Sequence, residues 1–151
     1  MRKEIFIVDD DPDHHFLVYK VIKGFDGSVP VRFFEDGKVL YRHLETLGRQ
    51  ARSDQFPALV IVDLNMPGMN GLQLLRQLRN PRPELQEYFD ELPVVIMSAE
   101  KGVDKIQQCY QQGANAYIIK PMELEKIRYT LQSIFKFWLG QDMQPVANVV
   151  V

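Results

Sequence analysis

The sequence predicts an α/β domain, a largely parallel sheet with helices packed on both of its faces. Two observations carry that prediction. Four short runs are apolar at successive positions, Ile5-Phe6-Ile7-Val8, Leu59-Val60-Ile61-Val62, Val94-Val95-Ile96-Met97 and Tyr117-Ile118-Ile119, with a weaker one from Val29 to Phe34. Strands with helices on both faces read this way because neither side alternates with solvent. Between the runs lie segments with apolar residues at helical spacing, and such alternation of strand and helix closes through right-handed crossovers. A chain of 151 residues, 46% hydrophobic, suits one compact domain with a substantial core.

Five helical segments fill the intervals. Asp11-Pro12 opens the first, because aspartate accepts from free amides and proline at the first helical position loses no hydrogen bond. Its apolar residues are Phe16, Leu17, Val21 and Ile22. Val39, Leu40, Leu44 and Leu47 mark the second, entered through an Asp36-Gly37 turn, and Leu72, Leu75 and Leu78 the third, entered through the tight Gly68 to Gly71 turn. Pro81 and Pro83 break the third helix, so the stretch from Asn80 to Leu92 reads as an extra turn or a longer loop. Ile106 and Tyr110 mark the fourth, which Gly113 ends; Leu124, Ile127, Leu131, Ile134 and Trp138 stripe the last, with Gly140 as its stop.

Composition narrows the function classes. A formal net charge of −2 gives no electrostatic reason to expect a nucleic-acid partner, which a basic face would attract. One cysteine, Cys109, makes no internal disulfide, and Met1 runs into the first strand without a signal-peptide pattern, so a reducing cytoplasm is the expected compartment. No apolar run approaches the roughly 20 residues of a membrane span.

Chemistry is expected where each apolar run ends, because open parallel sheets bind ligands at the carboxyl ends of their strands. The residues there are Asp9 and Asp10, Asp63, Ser98 and Lys120. Three carboxylates converging in one crevice repel one another unless a cation or a proton neutralises them. Mg2+ suits such a site, since it is hard, takes oxygen ligands and keeps some of its waters. Lys120 and Ser98 complement a phosphoryl group, one by charge and one by hydrogen bonding, which makes Asp63 the nucleophile of an acyl-phosphate chemistry that rests on positioning and charge neutralisation. Taken singly each signal is weak: a strand-end aspartate usually caps a helix, as Asp11 does, and a lone lysine or serine is an ordinary surface residue. The joint placement carries the reading.

Four motifs in order and spacing, Ile7-Val8-Asp9-Asp10-Asp11-Pro12, Val62 to Gly71, Ile96-Met97-Ser98-Ala99 and Ile119-Lys120-Pro121, resemble the response-regulator receiver family of two-component signalling, stand-alone type, over residues 3–139. The resemblance implies a flavodoxin-like, doubly wound sheet of order 2-1-3-4-5 with five helices. It implies phosphorylation of Asp63 by a histidine kinase or phosphotransfer protein, and Mg2+ held by Asp10, Asp63 and the Asn65 carbonyl, with Asp9 acting through a metal-bound water. It further implies switch roles for Ser98 and Tyr117, tuning of hydrolysis by Asn65 and Glu100, and a cis Lys120–Pro121 peptide. The face spanning about residues 102–139 is then the one whose partner preference changes.

Two other readings stand beside it. A small-molecule phosphatase working through an aspartyl phosphate is one, although its usual second acid two residues on is here Asn65; an interaction module without phosphorylation is the other. His14 and His15 read as exposed first-helix residues, with no cysteine or further histidine at ligand spacing, and Cys109 as a plain helix residue. Phe135, Phe137, Trp138 and Leu139 put apolar groups on more of the last helix than one buried stripe uses, and the tail 140–151 ends in valines, so a homodimer through the last helix and tail is expected. The Phe137-Trp138-Leu139 ending also resembles single-domain regulators paired with phytochrome-type kinases. With only the short tail after Leu139, output is expected through binding another protein or passing the phosphoryl group onward.

Overall fold

The computed structural model describes residues 4–25 and 29–140; the tail named above lies outside them apart from Gly140. Five strands, β1 Ile5–Val8, β2 Val31–Phe34, β3 Leu59–Asp63, β4 Val94–Ser98 and β5 Ala116–Ile119, alternate with six helices, α1 Pro12–Lys23, α2 Gly37–Arg49, α3 Gly71–Arg79, α4 Gln86–Phe89, α5 Val103–Gln111 and α6 Leu124–Leu139. The sheet has the order β2-β1-β3-β4-β5 and all its pairings are parallel. The expected order is therefore observed, and the helix count rises from five to six. The additional helix is the single turn α4, which follows a 3-10 turn at Pro83–Leu85 in the proline-broken stretch. Leu85 and Phe89 are fully buried there, and that burial pins the segment to the core.

Side-chain alternation along the strands builds two cores. Phe6, Val8, Val60, Val62, Val94 and Ile96 face α2 and α3, together with Cys109 of α5. Ile5, Ile7, Leu59, Ile61, Val95 and Met97 face α1 and α6. Both sides of β1, β3 and β4 are thus apolar, which explains their unbroken sequence runs. β5 is one of the two edge strands and only half-buried; the Tyr110 hydroxyl accepts the Tyr117 N–H at 3.0 Å on it.

The helix ends have local causes, and among them the sequence suggests the Asp11 cap and the Gly113 and Gly140 stops. Asp11 accepts the N–H groups of Asp13 (3.0 Å) and His14 (3.4 Å). Asp36 accepts the Lys38 N–H at 2.7 Å, and Asn70 and Gln73 form a reciprocal capping box. Gly113 (φ 102°) and Gly140 (φ 65°) take left-handed conformations after α5 and α6.

Three expectations are corrected. The Lys120–Pro121 peptide is trans, as are all the described peptide bonds; trans is the lower-energy form of an X–Pro bond by about 0.5–1 kcal/mol. Phe16 and Val39 point to solvent, because the buried stripes of their helices run through His14, Val18 and Val21 and through Leu40, Leu44 and Leu47. His14 is therefore buried. His15 is half-buried, with its ring 4.7 Å from that of Phe33. No helix among the described residues is long and apolar enough to cross a membrane.

Candidate functional site

Strand register assembles the site. Val8 pairs with Val62, so Asp9 and Asp63, each one residue further on, lie side by side at the ends of β1 and β3. Asp63 pairs with Met97 and Ser98 with Ile119, which sets Ser98 and then Lys120 at the same rim. The ladder continues just past the strands, with the Asp9 N–H donating to the Phe34 carbonyl at 3.0 Å and the Lys120 N–H to the Ser98 carbonyl at 2.8 Å. The Asp9 and Lys120 side chains therefore both sit on hydrogen-bonded backbone.

The turn after β3 is equally constrained. The Gly71 N–H donates to the Leu64 carbonyl at 2.9 Å, and a Cβ at Gly71 would lie 2.4 Å from the Asp63 carbonyl oxygen. Only glycine lets α3 begin so close to the Asp63 backbone. The Asn65 N–H donates to Asp63 Oδ1 at 3.2 Å.

Asp9, Asp10 and Asp63 each offer a carboxylate oxygen, all within 4.8 Å of one another; Asp9 and Asp63 are buried and Asp10 is exposed. Lys120 Nζ lies 2.8 Å from Asp9 Oδ2 and 3.3 Å from Asp63 Oδ2. Asp9 Oδ1 accepts the Asp11 N–H at 2.9 Å. Ser98 is fully buried, its Oγ accepting the Glu100 N–H at 3.1 Å, and the Tyr117 hydroxyl donates to the Glu100 carbonyl at 2.6 Å. Ser98 and Tyr117 thus meet on one loop residue.

The electrostatics separate the two buried carboxylates. Burial pushes the Asp9 carboxyl up, but hydrogen bonds from His14, Lys120 and the Asp11 N–H outweigh it and hold the group well below the usual carboxylate range. Asp63 moves the other way: burial and then the Asp9 charge raise it, and its share of Lys120 offsets this only in part. Burial lowers Lys120, whereas its bonds to Asp9 and Asp63 raise it further, so its ammonium stays charged. Burial also raises the Tyr117 hydroxyl.

Three carboxylates here face one ammonium, so negative charge is in excess. The all-oxygen, anionic donor set, open on the side of Asp10, fits a hard divalent cation such as Mg2+.

The structure brings together Asp9, Asp10, Asp63 and Lys120 directly, and Ser98, Tyr117 and Glu100 beside them. Asn65 is exposed next to Asp63. The residue the sequence reading misses is His14, only 2% exposed, whose ring nitrogens lie 3.0 Å from Asp9 Oδ2 and 3.2 Å from the Pro121 carbonyl. Its signal was positional: His14, Val18 and Val21 form an i, i+4, i+7 stripe, and the polar residue at its head hides it.

A doubly wound five-stranded sheet with an acidic cluster and a lysine at its carboxyl rim defines a receiver-type signalling domain. The family model for the response regulator receiver domain matches residues 5–132, and the chain belongs to that family of two-component signalling switches. The DNA-binding transcriptional regulator NtrC of Escherichia coli (strain K12) is 31% identical over 98% of this chain, which spans 28% of NtrC's length. Among solved structures, the phosphorylated cyanobacterial phytochrome response regulator RcpA is 28% identical, with a TM-score of 0.76 over 92% of this chain and 95% of that one. The Mn2+-bound form of response regulator Rcp1 is 26% identical, with a TM-score of 0.73 over 99% of this chain and 98% of that one.

Proposed function

We propose that Asp63 accepts a phosphoryl group from a histidine kinase or phosphotransfer protein in the presence of Mg2+, and that the chain signals through the protein contacts this changes. The observation that carries the proposal is the cluster of three carboxylates within 4.8 Å of one another, with Lys120 bridging two of them. A charged carboxylate needs no general base, so an Asp63 oxygen attacks phosphorus as the donor's bond to phosphorus breaks, and the leaving nitrogen keeps the electron pair. Lys120 moves from the carboxylates to a phosphoryl oxygen, and the Ser98 hydroxyl donates to another. Asp9, Asp10, Asp63 and the Asn65 carbonyl would hold Mg2+, which supplies charge neutralisation for the incoming phosphoryl oxygens.

The transfer and the later hydrolysis are the chain's only chemistry in this reading, with Asn65 and Glu100 setting how fast water reaches the acyl phosphate. Movement of Ser98 toward the phosphoryl group draws on the same loop that Tyr117 holds through the Glu100 carbonyl, so the change spreads to the face formed by α5, β5 and α6. That face carries exposed Val103, Tyr110, Ile119, Met122, Tyr129 and Phe137, a surface suited to a protein partner or a second copy. RcpA in its phosphorylated form and Rcp1 with bound Mn2+ are similar chains that support the chemistry. The single cysteine supports a reducing cytoplasm as its compartment.

Beryllofluoride with Mg2+ tests the proposal. Added to the wild type it is expected to shift amide resonances of Ser98, Glu100 and Tyr117, and to leave Asp63→Asn unchanged; a small acyl-phosphate donor is expected to add one phosphoryl group by mass spectrometry. An unaltered wild-type spectrum, or equal labelling of Asp63→Asn, would defeat it.

A further inference from the structure

His14 has a place in the site that the phosphoacceptor chemistry does not by itself require. Its ring is buried between three elements: it stands on the first turn of α1, faces the carboxylate that follows β1, and reaches the loop that follows β5. Asp9 and the Pro121 carbonyl are both acceptors, so the histidine is flanked by acceptors on its two nitrogens. Asp9 Oδ2 is shared between His14 at 3.0 Å and Lys120 at 2.8 Å, and Pro121 is the residue after Lys120. The four residues close a ring that joins Asp9 to the backbone carrying Lys120.

The ring matters when charge arrives. Lys120 is the group that must turn from Asp9 to a phosphoryl oxygen, and once it does, His14 is left to orient Asp9 Oδ2. We infer that His14 is a positioning residue: it fixes the orientation of the Asp9 carboxylate at the cation site from a place against the Pro121 carbonyl, next to Lys120. This rests on the phosphoacceptor reading above. Hydrogen-bond partners that orient a metal-binding group commonly change affinity by about 10–100-fold when removed.

The test compares the full chain with His14→Leu, which fills the buried space without polar atoms, and His14→Asn, whose amide nitrogen stands where Nδ1 does. Mg2+ is titrated calorimetrically in the absence of any phosphoryl donor, and circular dichroism follows folding. His14→Leu is expected to bind Mg2+ about tenfold more weakly, and His14→Asn to return within about threefold of the wild type. Single-turnover phosphorylation across Mg2+ concentrations is expected to show the loss in half-saturation, with the saturated rate changing less. Equal Mg2+ affinity in all three proteins overturns the role, since a residue that only packs predicts that result. If His14→Leu does not fold, His14→Asn decides alone, and a tenfold loss in it overturns the role. A wild type that binds no Mg2+ overturns the phosphoacceptor reading itself, a result distinct from variants that match a binding wild type.

Discussion

Replacing Asp63 by asparagine keeps shape and removes one charge, and its effect on stability is expected to reverse with Mg2+. Without metal, Asp63 sits within 4.8 Å of the Asp9 and Asp10 oxygens and 3.3 Å from Lys120 Nζ. At an effective dielectric near 20, each like-charge pair at that separation costs about 3.5 kcal/mol and the lysine returns about 5 kcal/mol. Solvent screening at exposed Asp10 reduces its share, while the burial of Asp63 adds a cost of its own. The balance is a net penalty of about 1–2 kcal/mol on the charged side chain. Asp63→Asn should therefore melt about 2–8 °C higher than the wild type in chelator, at about 2–4 °C per kcal/mol for a chain of this size. With free Mg2+ 100-fold above its dissociation constant, binding should stabilise the wild type by about 2.7 kcal/mol, or about 5–11 °C, and the variant by much less. Differential scanning calorimetry with chelator and with Mg2+ measures all four values. An apo variant less stable than the apo wild type, or a variant with the full Mg2+ increment, refutes the electrostatic account of the site.

Gly71→Ala should lower the melting temperature by about 6–12 °C, because its methyl group meets the Asp63 carbonyl and the Leu64 Cα and costs about 3 kcal/mol; calorimetry reads the shift. Mg2+ affinity should fall in the same variant, since the displaced backbone carries Asp63. Arg79→Met keeps the aliphatic stem but removes bonds to the Gly113 and Phe89 carbonyls and to Asn115 Oδ1, and chemical denaturation should show a loss of about 2–3 kcal/mol. Cys109 is fully buried, and that burial raises its thiol, so alkylation at pH 8 should be slow in the native protein and fast in denaturant; rapid native labelling would contradict the packing of α5.

Periodicity and strand-end chemistry alone were enough to read the strands, the cap at Asp11, the turns that enter α2 and α3, and the grouping of Asp9, Asp10, Asp63, Ser98 and Lys120. These are local properties: a strand covered on both faces is apolar throughout, a cap needs its acceptor at one position, and parallel strands gather the residues that end them on one rim. Tertiary structure decided what depends on the angle at which a helix meets the sheet. The orientation of α1 turns Phe16 outward and His14 inward, a choice no hydrophobic count makes for a helix with apolar groups on several sides. It also decided how one lysine is divided between two aspartates, which depends on 2.8 and 3.3 Å in space and not on spacing along the chain. Sequence determined which groups reach the rim; packing decided which of them bond there, because hydrogen bonds and charges respond to distances that only the assembled sheet and helices set.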